Sequence, residues 1–124
     1  MLQQVCFGFL ALIHIVPAIA AIMPSQLSKL YGVQGEDRVL ISLLQHRAVL
    51  LGNVGFAFLA AAIRPTEAIA WHAVLLGAAS MASFLVIAAI NRQLRGPLRK
   101  IALIDLAGLI PLAWLFWRQP WASF

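Results

Sequence analysis

Leu43-Leu44-Gln45-His46-Arg47-Ala48-Val49-Leu50-Leu51-Gly52 sets a histidine and an arginine inside an otherwise apolar run. The surrounding segment, residues 38–63, is long enough to cross a bilayer, which takes about 20 predominantly apolar residues. His46 and Arg47 then lie below the lipid headgroups. A charge at the centre of a span costs at least ~2.5–3.5 kcal/mol, so such a side chain is expected to face protein or a polar cavity.

The rest of the chain is built the same way. Soluble domains are about 45–50% apolar and about 25% charged. This chain is 63% hydrophobic and 10% charged, with mean hydropathy +0.93, which argues against a soluble globular protein. Its 124 residues hold one domain, 1–124, with four spans at about 2–23, 38–63, 66–91 and 99–117. The expected fold is an all-α membrane protein, a four-transmembrane-helix bundle with a short interfacial helix in loop one.

Local signals punctuate these spans. Pro17 is expected to kink the first and Pro24 to close it. Ala18-Ile19-Ala20 resembles a signal-cleavage site, but no Lys or Arg precedes it, so the segment is read as a retained helix. In loop one, Ser25 is expected to cap a helix with Leu27, Leu30 and Tyr31 on its apolar side, stopped by Gly32. Glu36 and Asp37 suit the start of span two, and Thr66 with Glu67 the start of span three.

Charge orients the bundle. Lys29, Arg38, Arg92, Arg95, Arg99 and Lys100 fall on one side, Arg64 and Arg118 on the other. The positive-inside rule places both termini outside the cytoplasm of a bacterial inner (plasma) membrane. Trp71, Trp114, Trp117 and Trp121 gather at the less basic side, as an aromatic belt does. The pI of 10.8 therefore reflects topology and contact with anionic membrane lipid, with no nucleic acid expected.

Counting helical rise from the basic side puts His14, His46, Arg47, Ser83 and Asp105 in one layer, roughly 9–14 Å deep at ~1.5 Å per residue. Arg47 and Asp105 are the natural pair, since two buried opposite charges satisfy each other. His14 and His46 extend the layer, with Gln45 and Asn53 as possible extensions. Asn53 shares a helix face with His46, seven residues away. His72 lies near the opposite surface. The bland alternative is a structural clamp that fixes helix order. Gly52, Gly55, Gly77, Ser80 and Ser83 are read first as close-packing positions.

No HExxH, GxSxG, phosphate-binding glycine loop or paired carboxylates occur, so no catalytic residue is assigned. One cysteine, Cys6, forms no internal disulfide, and with three histidines no closed zinc site or other metal site is expected. No cofactor is expected; bis-histidine haem ligation by His14 and His46 is the alternative, although Arg47 would crowd the ring.

Ile13-His14-Ile15-Val16-Pro17, Leu30-Tyr31-Gly32, His46-Arg47-Ala48-Val49-Leu50-Leu51-Gly52, Ser83-Phe84-Leu85 and Asp105 occur in an order that resembles a group of small bacterial four-helix membrane proteins. That group, of uncharacterised function, is related loosely to the DoxX-like membrane proteins. The resemblance covers nearly the whole chain, and the HRAVLxG stretch is its most specific part. Members often carry the label phosphopantetheine adenylyltransferase. That activity is not expected here, because it needs a TxGH or HxGH nucleotide motif and no Gly-His pair occurs. The DoxX-like kinship implies a partner role beside redox or quinone-linked systems and supplies no catalytic residue.

Three functions follow. The first is binding of a small amphipathic ligand, lipid or quinone-like, at the polar layer. The second is a non-catalytic accessory subunit of a membrane complex, or a homo-oligomer, with Arg47–Asp105 as clamp. The third is a small membrane enzyme or proton-coupled carrier using His14 or His46.

Overall fold

In a computed structural model, which describes residues 1–34, 36–92, 96 and 98–118, the apolar segments are helices and the punctuating residues lie between them. Arg95 of the basic turn and Trp121 of the expected belt lie outside the described residues. The elements are α1 (Leu2–Ile19), a 3-10 turn (Ala20–Ile22), α2 (Pro24–Tyr31), α3 (Arg38–Ile63), α4 (Glu67–Ile90) and α5 (Arg99–Arg118). Four segments are long and apolar enough to cross a membrane: Leu2–Ile22, α3, α4 and α5.

The boundaries have local causes. Pro17 sits inside α1, which tightens into the 3-10 turn three residues later. Met23 leaves the helical region (φ −130°, ψ 78°), which the residue before a proline disfavours, and Pro24 opens α2. Ser25 therefore does not cap this helix. Proline occupies the first helical position, where its missing N–H would have had no partner. Gly32 ends α2 in the left-handed region (φ 64°), which glycine adopts without a Cβ penalty. The apolar side of α2 is Leu27 and Tyr31, both buried, with Leu30 38% exposed beside them.

Two side chains start the long helices. The Leu40 N–H donates to Asp37 Oδ1 at 3.0 Å, and the Ile69 N–H to Thr66 Oγ1 at 3.4 Å. Asp37→Ala is expected to lower the stability of the bundle by about 1 kcal/mol, and Asp37→Asn to recover most of it, because an acceptor is kept. Thermal unfolding in mild detergent, followed by circular dichroism, measures the difference. Thr66→Ala, which removes a longer bond, is expected to cost less.

The long helices run up and down, with neighbours in the order α1–α3–α4–α5 and back to α1. The central core joins Phe7, Leu10 and Ala11 of α1 to Val54, Phe58 and Ala61 of α3, Val74 and Met81 of α4, and Leu112 and Leu115 of α5. Two glycines set its spacing. A Cβ on Gly55 would come within 2.6 Å of Ile15 Cγ1 and 3.1 Å of the Ile15 backbone nitrogen, so α1 and α3 touch almost backbone to backbone. A Cβ on Gly77 would meet the ring of Phe58, which closes α3 onto α4 near the middle of α4. A second cluster, Leu27, Tyr31, Ile41 and Ala48, docks α2 against α3.

Candidate functional site

Away from the Phe58–Gly77 contact, α3 and α4 leave a groove between them. It measures about 680 Å³ and runs from Ser80 and Val54 toward Asn91 and Leu98 at the basic end. Its walls are mostly leucine, valine, isoleucine and phenylalanine, with Ser80, Ser83 and Asn91 along α4. Arg47 is the one charged side chain among the described residues that line it.

Arg47 and Leu51 also line a second, smaller cavity of about 70 Å³ inside the bundle end. Here Arg47 meets His14 of α1, Tyr31 of α2 and Asp105 of α5. Three members of the expected layer, His14, Arg47 and Asp105, thus converge from three different helices. Ser83 joins Arg47 in the groove and not in this cavity. Its Oγ donates to the Ser80 carbonyl at 3.0 Å.

The expected ion pair is not made. Among the described residues Arg47 and Asp105 share the cavity without direct contact. The guanidinium instead stacks on aromatic rings, 4.4 Å from the centroid of Phe84 and 5.7 Å from that of Tyr31. Ring faces attract a cation but accept no strong hydrogen bond. Among the described residues, Arg47 donates no hydrogen bond to protein, and its N–H fork is open to another acceptor.

His14 is 2% exposed, the most buried polar side chain described. Its Nδ1–H donates to the Leu10 carbonyl at 2.8 Å, which leaves Nε2 as a buried acceptor with no partner. The imidazole packs on Phe58 at 5.3 Å. His46 behaves differently: it is exposed on the outer side of α3 and lies outside the cavity that His14 lines. Gln45 donates to the Ala21 carbonyl at 2.8 Å, bonding a group at the frayed end of the first span. Asn53 is exposed like His46. His72 is exposed near the far surface, with Nδ1 2.6 Å from the Ala68 carbonyl. No group of three or more His, Cys, Asp or Glu that could hold a metal occurs among the described residues.

Tyr31 and Phe84 carry part of the site, although in the sequence they stand among the stretches of the resemblance and not among the candidate site residues. Tyr31 reads there as one apolar residue of an interfacial helix. Only the fold-back of α2 brings it over the cavity. Burial pushes its hydroxyl above the ordinary value of 10.0; the positive charge of Arg47 opposes the shift and Asp105 reinforces it. The unfolded chain loses this proton near pH 10 while the folded chain still holds it. The unfolded state then binds fewer protons, so stability falls as pH rises past about 10. Tyr31→Phe is expected to flatten that alkaline loss, read as unfolding midpoints in detergent at pH 8 and pH 11.

Comparison with protein-family models, with curated proteins and with solved structures finds no match to this chain.

Proposed function

We propose that this chain is a small multi-pass protein of a bacterial inner membrane that binds an amphipathic ligand, a lipid or a quinone-like molecule, in the groove between α3 and α4. Arg47 meets the ligand's oxygen-bearing head, and the apolar walls take its tail. The observation that carries the reading is the unmet guanidinium of Arg47 at the edge of a groove of about 680 Å³. A fixed, weakly hydrated fork of donors suits a phosphate, carboxylate or quinone oxygen better than a lysine would. The small cavity behind it, with His14 and Asp105, supplies further polar contacts to the same head.

Both termini lie outside the cytoplasm in this reading, with Lys29, Arg38, Arg92, Arg99 and Lys100 toward it. Kinship with the DoxX-like membrane proteins, and a role beside quinone-linked redox systems, belong to the same proposal. The competing accessory reading relies on Arg47–Asp105 as a clamp, and the absence of direct contact between those two charges favours the ligand.

Native mass spectrometry and an absorption spectrum, on protein extracted gently from membranes, test it. The expected result is a retained lipid or quinone, and saturable binding of a short-chain ubiquinone or of phosphatidylglycerol added back to stripped protein. Folded protein that carries nothing and binds neither probe would overturn the proposal.

A further inference from the structure

The imidazole of His14 is only half used by the fold. Its Nδ1–H donates to the Leu10 carbonyl of its own helix at 2.8 Å, and the side chain is 2% exposed. Nε2 therefore keeps its lone pair, and among the described residues no protein group donates to it. A buried acceptor without a donor is costly and calls for a partner. With Nδ1 turned to its own backbone, Nε2 is the nitrogen left for the inner cavity that His14 lines.

The other walls of that cavity narrow the choice of partner. Asp105 stands against an anion there, and Arg47 against a cation, because like charges repel. An oxygen that only accepts would set its lone pairs against that of Nε2. A neutral group that donates is what remains, and a hydroxyl is the smallest that an organic head can offer. The Tyr31 hydroxyl, on the same wall, can donate to its oxygen. At about 70 Å³ the space takes about two water-sized groups, since a water claims ~30 Å³. It adjoins the larger groove at Arg47 and Leu51, which line both.

We infer that the inner cavity is a hydroxyl subsite of the groove. The ligand's head sets an acceptor oxygen against Arg47 and sends a hydroxyl inward, where it donates to His14 Nε2. This rests on the ligand reading above and narrows it to a hydroxyl-bearing head, which either a reduced quinone or a glycerol-headed lipid carries.

Paired probes that differ in that hydroxyl test it. Stripped, folded wild-type protein is titrated anaerobically with short-chain ubiquinol and ubiquinone. It is titrated separately with phosphatidylglycerol and phosphatidylmethanol, which share a phosphodiester charge and differ in the glycerol hydroxyls. The hydroxylated member of one pair is expected to bind more tightly, by about tenfold. The pair that shows the preference identifies the source of the hydroxyl. His14→Phe keeps a ring against Phe58 and removes the acceptor, so the preference is expected to disappear. The wild-type ratios decide the matter even where that variant does not fold. Equal affinities within both pairs would overturn the subsite, with water left to meet Nε2, and leave the groove reading standing. A preference that survives in folded His14→Phe would overturn it as well. Binding of none of the four probes would remove the groove reading itself, and the subsite with it.

Discussion

Arg47→Ala is expected to abolish ligand binding and leave the bundle folded. The two effects separate because Arg47 does little for the fold. Its described protein interactions are the faces of Phe84 and Tyr31, worth about 0.5–1 kcal/mol each at such sites, and a charge attraction to Asp105 across the small cavity without a direct bond. Removing the charge also removes its desolvation cost. A ligand head held by the guanidinium loses far more. Truncating one partner of a buried, hydrogen-bonded charge pair costs about 2–5 kcal/mol. At 1.4 kcal/mol per tenfold, affinity falls by roughly thirtyfold or more. Arg47→Lys keeps the charge but loses the planar fork and the stacking, so an intermediate affinity is expected. Binding of a short-chain ubiquinone or phosphatidylglycerol, measured beside helicity and unfolding midpoint, distinguishes the outcomes. Unchanged affinity in Arg47→Ala would remove Arg47 from the site, whereas a variant that fails to fold would restore the clamp reading.

Gly77→Leu is expected to be the most damaging single substitution in the core. Any Cβ there runs into the ring of Phe58, which is fully buried against His14 and Phe7. The ring has no room to retreat, because Gly55 beside it already holds α1 and α3 at their closest approach. Overpacking of this kind costs about 1–3 kcal/mol and occasionally more. Phe58→Ala makes the opposite error. Lipid is as apolar as the bundle interior, so the loss is packing rather than transfer from water. With roughly 100 Å³ emptied at ~24 cal/mol per Å³, it costs about 2 kcal/mol. The double variant puts a large side chain where the ring was and is expected to be more stable than the sum of the two singles by over ~1 kcal/mol. Strict additivity in that cycle would mean that Phe58 and Gly77 do not fix the α3–α4 spacing. The double variant is also a useful probe of the groove, which lies just beyond this contact.

The four long helices were legible because their signals are one-dimensional. Asp37 and Thr66 cap α3 and α4 where hydropathy rises, and Gly32 stops α2 because it adopts the left-handed region. Ser25 misled because Pro24 beside it competes for the same helix start and its ring presets the backbone. His14, Arg47 and Asp105 line one cavity, and the expected depth of the layer they form with His46 and Ser83 was countable, since helical rise is fixed per residue. Tyr31 was not, because its place over the cavity depends on α2 folding back against α3.

Length, hydropathy and caps thus determine by themselves a four-helix bundle, and counting along its helices gives its polar groups an expected common depth. Depth says nothing of direction. Consecutive residues on a helix point about 100° apart. Arg47 therefore faces the groove and the inner cavity while its neighbour His46 faces outward. In a soluble helix an apolar stripe would have marked the inward face. These spans are apolar nearly all round, because lipid and bundle interior make the same demand, so the sequence leaves rotation about each helix axis open. The close contacts at Gly55 and Gly77 decide it, and with it which members of the polar layer form a site.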